Sequence, residues 1–415
     1  MLKTPIARGV ALATLGATLA IPTMAQAAFV DDSKVNLELR NFYFNGDNRQ
    51  DDAAQSKAEE WAQGFILRAE SGYTEGTVGF GVDALGLLGV KLDSGRGRVG
   101  TGLLPANDNG APDEFSSLGL TAKAKISNTV LKVGTIEPKN MAISRSDSRV
   151  VPQVFTGTQI VSNEIDGLTL DAGYINQVNN RNSSDYEDLG ASLNGGAIAA
   201  GNEIDDFIFA GASYKLLKNL TGSYYYSNLE EAYKQHSFNL IHVLPLGENQ
   251  SLKTDLRYAR STDDGSSTVD NKAYGAMVTY SVSGHSFGLG YQEMNGDTGF
   301  AYVGGGTDPY LVNYVMIGAD FAKANEESWQ ARYDYNFAAM GIPGLTFMTR
   351  YVTGDNFGAD GRGKEWERDT DIGYVFQEGS LKNLGIKWRN GTYRSNADRE
   401  IDQNRLIVSY TIPLM

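Results

Sequence analysis

The 415 residues carry a formal charge of −14, with 22 Tyr, 17 Phe, 48 Gly and no Cys. A mean hydropathy of −0.31 excludes a bundle of membrane helices, and an acidic chain without a basic patch interleaved with aromatics is no nucleic-acid binder. The absence of cysteine excludes a disulfide framework.

Residues 1–27 have the layout of a secretion signal. Lys3 and Arg8 precede an apolar stretch from Gly9 to Met24, and Ala25, Gln26 and Ala27 form a small-residue cleavage site. The sequence therefore divides into a signal peptide, 1–27, and one mature domain, 28–415. From Leu37 to Met415 one device repeats: about ten residues of alternating apolar and polar character, rich in Tyr, Phe and Gly, closed by a Gly/Asn/Asp turn or a longer polar loop. This is the pattern of a transmembrane antiparallel β-barrel. The last segment shows it, with Leu406, Val408, Tyr410, Ile412 and Leu414 on one face and Arg405, Ser409 and Thr411 on the other.

Short turn signals (Gly72 to Gly76, Glu164 to Gly167, Lys218-Asn219, Gly247 to Asn249, Ser283-Gly284, Gly341 to Gly344, Gly379 to Lys382) alternate with longer stretches at 46–59, 93–114, 138–155, 179–203, 230–233, 261–271, 295–327, 353–366 and 395–402. Acids in the longer stretches, among them Asp47, Asp51, Asp52, Glu59 and Glu60, read as solvated. One segment decides the strand count. Leu311 to Ile317 is apolar but does not alternate, and counting it gives an odd total of about nineteen, whereas bacterial single-chain barrels are even-numbered. Read as part of a seventh loop it leaves about 18 strands, and its apolar character suits a loop folded back into the lumen. The third loop, 137–155, with two prolines and a dense Arg/Ser/Asp run, reads the same way.

In this register Phe65, Leu67, Phe80, Val82, Leu118, Leu120, Phe287, Leu289, Trp329, Tyr333, Tyr335, Phe347 and Trp388 face lipid, with aromatics toward the strand ends. Arg40, Arg68, Lys123, Lys125, Lys387, Arg389 and Arg405 share the inward parity. First and last strands are neighbours in a closed barrel, so Arg40, Arg68, Lys387, Arg389 and Arg405 are expected as a column on one wall, where closely spaced cations lower the barrier for an anion. Asp147 and Asp308 are expected across the eyelet from it. Arg145 and Arg149, with Ser144, Ser146 and Ser148, fit a constriction element, and Arg257 falls on a distant strand where it should matter little.

Arg40 to Asn45, Glu60 to Arg68, Gly79 to Asp93, Ser146 to Pro152, Gly306 to Tyr314, Gly363 to Asp371 and Asn404 to Tyr410 together resemble the OprD family of substrate-specific outer-membrane porins, also called outer-membrane carboxylate channels. The resemblance covers essentially the whole mature chain. It implies an all-β, eighteen-stranded barrel in a Gram-negative outer membrane, monomeric or loosely trimeric, narrowed by inward-folded loops 3 and 7. It further implies facilitated diffusion of small carboxylate-bearing nutrients along a basic ladder, with Arg40, Arg68, Lys387, Arg389 and Arg405 at ladder positions, Arg149 as the third-loop arginine and Asp308 as the seventh-loop acid.

The rival with the same fold is a non-selective diffusion porin; an adhesive or structural barrel would have a plugged or uncharged lumen. A serine-hydrolase barrel would need a histidine in a dry, oriented site, but His236 and His242 share the parity of Phe238 and Leu240 near the girdle and His285 lies in a tight turn. No catalytic residue, cofactor or metal site is therefore assigned. The expected partners are small organic anions and outer-membrane lipids.

Overall fold

Burial follows the sequence alternation: in Tyr233–Gly247 the first eight residues run buried and exposed in strict turn. The computed structural model describes residues 29–415 apart from 52, 108, 201, 203, 318 and 319. The segment read as a secretion signal, and with it the boundary at residue 27, lies outside the described residues. In chain order the strands are β1 Lys34–Asn48, β2 Lys57–Glu70, β3 Gly79–Asp93, β4 Glu114–Ile126, β5 Thr129–Ile136, β6 Val154–Ser162, β7 Leu168–Asn179, β8 Ala191–Ser192, β9 Phe207–Leu217, β10 Leu220–Leu229, β11 Tyr233–Gly247, β12 Gln250–Asp263, β13 Asp270–Val282, β14 His285–Asn295, β15 Tyr302–Val303, β16 Glu327–Asn336, β17 Leu345–Phe357, β18 Gly363–Val375, β19 Gly385–Ser395 and β20 Ile401–Pro413.

Eighteen of these form one antiparallel sheet, and β1 closes on β20 from Asn36 opposite Pro413 to Asn48 opposite Ile401. Closure leaves no sheet edge exposed, which is the condition for crossing a bilayer with strands. No described helix is long and apolar enough to cross a membrane. The two short strands, β8 and β15, pair with each other and tie loop 4 (180–206) to loop 7 (296–326). At the opposite end the turns are short. Ser283 and Gly284 both take positive φ, 48° and 86°, as a two-residue hairpin between right-twisted strands requires.

The lipid-facing wall falls where the alternation puts it, with Phe80, Leu120, Leu289 and Trp329 among the exposed side chains. Tyr335 is an exception: it has the outward parity but is 9% exposed, covered by the rings of His285 at 4.4 Å and Phe337 at 4.6 Å. Two outer loops are shorter than expected, 49–56 and 358–362, because the strands stay paired out to Asp47 opposite Lys57 and Phe357 opposite Gly363. Glu59 and Glu60 are accordingly strand residues, not solvated loop acids. Glu60 is fully buried and accepts from the Thr101 N–H at 3.1 Å, which holds loop 2 (94–113) against the wall.

Loops 3 (137–153) and 7 both enter the lumen. Met141, Ala142 and Ile143 pack with Phe155, Phe207 and Tyr233, and Val315, Met316, Ile317 and Phe321 pack with Val352, Tyr393 and Ile401. Glycine on the inner wall permits the approach: a Cβ at Gly64 would collide with the Val150 carbonyl, and one at Gly391 with the Met316 side chain.

Candidate functional site

A backbone segment buried in a lumen must satisfy its own polar groups. Loop 7 does so on the inward charges of the wall. Arg257 donates to the Leu311 carbonyl at 2.8 Å, Arg350 to Tyr314 at 3.2 Å and Arg405 to Met316 at 2.8 Å, and from the outer loop between β19 and β20 Arg399 donates to Ile317 at 3.3 Å. The Ile317 N–H donates to Glu367 at 2.8 Å and the Met316 N–H to Asp369 at 3.4 Å. Arg257 is therefore not a bystander: it anchors loop 7 and lies 4.1 Å from the Tyr310 ring centroid.

Loop 3 is stapled to loop 7. The Asp308 N–H donates to the Ser144 carbonyl at 2.9 Å, and the buried Gln153 amide donates to Gly305 at 3.1 Å. Loop 4 joins them through Arg181, whose guanidinium donates to the Ser146 and Ser148 hydroxyls at 2.8 and 2.9 Å and to the Gly306 carbonyl at 3.5 Å.

The inward cations divide by partner. Arg40 is paired with Glu38 and Asp147, both at 2.7 Å. Arg68 is paired with Glu137, Arg145 with Glu137 and Asp147 at 3.1 Å, Lys123 with Asp83 at 2.6 Å, and Arg389 with both oxygens of Asp371 at 3.0 Å. Lys123 and Lys125 lie over the Tyr73 ring. A second group is held by neutral oxygens: Arg149 by the Thr101 carbonyl at 2.7 Å and by Ser148, Arg181 as above, and Arg405 by Met316 and the Gln403 amide oxygen at 2.6 Å. Phe44 separates two of them, its ring centroid 5.4 Å from Arg149 and 4.7 Å from Arg405.

Burial, and then the guanidiniums of Arg405 and Arg181, lower the Arg149 pKa well below its ordinary value; burial also lowers that of Arg181. Asp147 goes the other way from a buried acid. Burial pushes its carboxyl up, but Arg40 and then Arg145 pull it below its ordinary value. Asp308 is raised by burial, against the Tyr314 hydroxyl that donates to it at 2.9 Å.

Between the constriction and the short-turn end lies a cavity of about 430 Å³, lined by Glu38, Arg40, Asp147, Arg149, Lys387 and Arg389 among others. Four of the seven expected site residues, Arg40, Arg149, Lys387 and Arg389, thus share one cavity. Arg68 is paired with Glu137 and does not line it. Arg405 has the inward parity but is 1% exposed beneath loop 7, so it does not reach the cavity surface. Asp308 sits in the joint between loops 3 and 7 rather than across the cavity; Asp147 is the loop acid that lines it.

Sequence reasoning missed Arg181, which stands in a polar loop with no strand parity to flag it. It also missed Glu365, Glu367, Asp369 and Asp371, four successive inward positions of β18, of which the first three bind Lys323 and the backbone of loop 7 and the last pairs with Arg389. Their spacing of two is visible in the sequence, but Glu365 falls in the stretch 353–366 that reads as outer loop.

Over residues 27–414 the chain matches the family model described as outer membrane porin, OprD family. It is 40% identical over 410 residues to the porin-like protein GalP of Pseudomonas putida, with 97% of each chain covered. It is 37% identical over 417 residues to Porin D of Pseudomonas aeruginosa, with 93% of this chain and 92% of that one covered. The structure superposes on the crystal structure of Pseudomonas aeruginosa OpdQ with a TM-score of 0.87 at 58% identity, covering 94% of this chain and 100% of that one.

Proposed function

The chain belongs to the OprD family of outer-membrane porins, channels rather than enzymes, and from that premise we propose that it admits small carboxylate-bearing nutrients along its inward cations. The observation that carries this reading is the unequal pairing of those cations. A guanidinium already bound to a carboxylate presents little net charge to a solute, whereas Arg149 and Arg181 are held at the junction of loops 3, 4 and 7 by neutral oxygens alone. An arriving carboxylate supplies the missing charge and fits the planar fork of Arg bidentately.

The Ser146 and Ser148 hydroxyls beside the two arginines offer further hydrogen bonds. On the short-turn side, Lys387, Arg40 and Arg389 line the cavity that receives the anion, the latter two partly neutralised by Glu38, Asp147 and Asp371. Sites of graded strength let a solute enter without being trapped. Aromatic acids, other organic acids and amino acids all carry the group recognised. The alternative is a non-selective diffusion porin.

Liposome-swelling rates distinguish the two. With a benzoate-like acid, a glucuronate-like acid, arginine and a neutral sugar as solutes, Arg149→Gln should lower carboxylate rates about tenfold, the worth of a charge-assisted hydrogen bond, and leave the sugar within about twofold. Equal losses for acid and sugar would return the protein to the general-porin reading.

A further inference from the structure

On the outward faces of β11, β12 and β13 the register lines side chains into rows. His236 on β11 lies opposite Arg260 on β12, and Arg260 lies opposite Lys272 on β13. This row stands two or three residues from the long-loop ends of its strands. Two residues further from those ends come Phe238, Tyr258 and Tyr274, with Tyr224 of β10 beside Phe238. The four rings follow one another at centroid distances of 4.9, 6.1 and 5.1 Å. The next outward row is Leu240, Leu256 and Ala276. In a strand tilted about 40°, two residues span roughly 5 Å of height. The wall therefore passes from cations through an aromatic belt to hydrocarbon within about 10 Å.

Two cations directly opposite each other destabilise a strand pair, and the local acids answer this pair incompletely. Asp270 binds Arg260 through Nη1 alone, and that nitrogen also donates to the Asn271 carbonyl at 3.2 Å. The other edge of the guanidinium, Nε and Nη2, has no acceptor among the described residues. Lys272 is exposed and has no ion-pair partner among the described residues. The remaining charges nearby are engaged. Lys234, two residues above His236, is paired with Asp264 at 2.5 Å, and Glu293, opposite Tyr274, accepts from the Tyr291 hydroxyl at 3.0 Å. The Tyr224 hydroxyl lies 2.9 Å from His236 Nδ1, which leaves Nε2 for a further partner.

A group that bridges Arg260 and Lys272 must carry negative charge, stay at the rim and tolerate hydrocarbon directly beneath it. A free anion satisfies only the first condition. The phosphate of a membrane lipid satisfies all three, because its oxygens take the guanidinium fork and the ammonium together while its chains run down over the rings and leucines. We propose that Arg260 and Lys272, with His236 at their side and Tyr224, Phe238, Tyr258 and Tyr274 below, form a binding site for the phosphate of a lipid in the leaflet at the long-loop end. The bound phosphate relieves the repulsion between the two cations and fixes the depth at which this flank of the barrel sits.

The test is native mass spectrometry of the detergent-solubilised full barrel, titrated with purified deep-rough lipopolysaccharide as the phosphorylated lipid. Arg260→Gln/Lys272→Gln should raise the half-saturating lipid concentration about tenfold or more, the worth of two cations beside a charged membrane surface. Both changes face away from the lumen, so heat-dependent gel mobility and single-channel conductance should stay those of the wild type. Lys364→Gln, an exposed cation on β18, should leave lipid binding within about twofold, since a lone cation there adds at most about 1 kcal/mol to non-specific attraction. The same glycolipid stripped of its phosphates should bind the wild type no better than the intact one binds the double variant, and millimolar inorganic phosphate should not displace the intact lipid. Equal affinity of wild type and double variant, equal binding of the two glycolipids, or displacement by inorganic phosphate would each overturn the proposal.

Discussion

Asp147 is the residue on which the charge balance of the cavity turns. It neutralises part of Arg40 and Arg145 at once, and its carboxyl is held below its ordinary 3.8. A depressed acid contributes its stabilisation above its unfolded pKa and loses it only as pH falls through the folded value, so this contribution stays constant from about pH 5 to 8. Asp147→Asn leaves Arg40 with Glu38 and Arg145 with Glu137, adding one net positive charge beside the path. The ratio of anion to cation permeability, read from reversal potentials, should rise about threefold, a shift typical of one partly solvated ion pair, and Arg40→Gln should lower it. A fall in the ratio for Asp147→Asn would contradict the pairing account. Strand parity made Arg40, Arg68, Lys387, Arg389 and Arg405 legible from the sequence as inward residues. Glu38 and Asp371 share the parity of Arg40 and Arg389, with which they pair, but parity could not reveal the partners Asp147 and Glu137, because they belong to a loop whose path has no period. Nor could parity show that Met316 covers Arg405.

Loop 7 is the element whose behaviour the inner wall controls. The non-alternating run from Leu311 to Ile317 was legible as loop rather than strand, and its apolar side chains as lumenal. The charges that seat it were not, since Glu365, Glu367 and Asp369 resemble solvated acids until the loop's N–H groups are placed against them. Arg257→Gln removes one anchor and should increase open-channel current noise with little change in mean conductance; unchanged noise would mean that the Leu311 contact does not restrain the loop. The pH response follows from Asp320, which receives the Tyr302 hydroxyl at 2.6 Å and whose pKa burial raises from 3.8 to about 6. An acid with a raised folded pKa stabilises the fold below its unfolded pKa, and that stabilisation is lost as pH rises through the folded one. Loop 7 should therefore seat more firmly at pH 5 than at pH 7, with fewer conductance transitions, and Asp320→Asn should keep the quiet state at pH 7. More frequent transitions on acidification would refute this.

At the scale of the whole molecule the charge distribution opposes the local one. The chain holds 50 acidic against 36 basic residues, and many acids crown the long-loop end, among them Asp185, Glu187, Asp188, Asp206, Glu230, Glu231, Asp263 and Asp264. A carboxylate approaching from that side first meets repulsion and only then the arginines at the junction of loops 3, 4 and 7. The two fields differ in reach. At about 0.01 M salt the screening length is roughly 30 Å and the acidic crown acts over the whole mouth; at about 0.1 M it is roughly 10 Å and the repulsion is confined to the loops themselves. Direct contacts with Arg149 and Arg181, a few ångströms long and shielded from solvent, are weakened far less over that interval. Carboxylate influx at low solute concentration should therefore rise as salt goes from about 0.01 to 0.1 M, and fall only near 1 M, where the screening length of roughly 3 Å reaches contact distance. A neutral sugar should show neither change. A carboxylate flux that falls steadily from the lowest salt upward would mean that attraction, not repulsion, governs entry, and the selectivity would then have to be assigned to a long-range funnel instead of the contacts at the constriction.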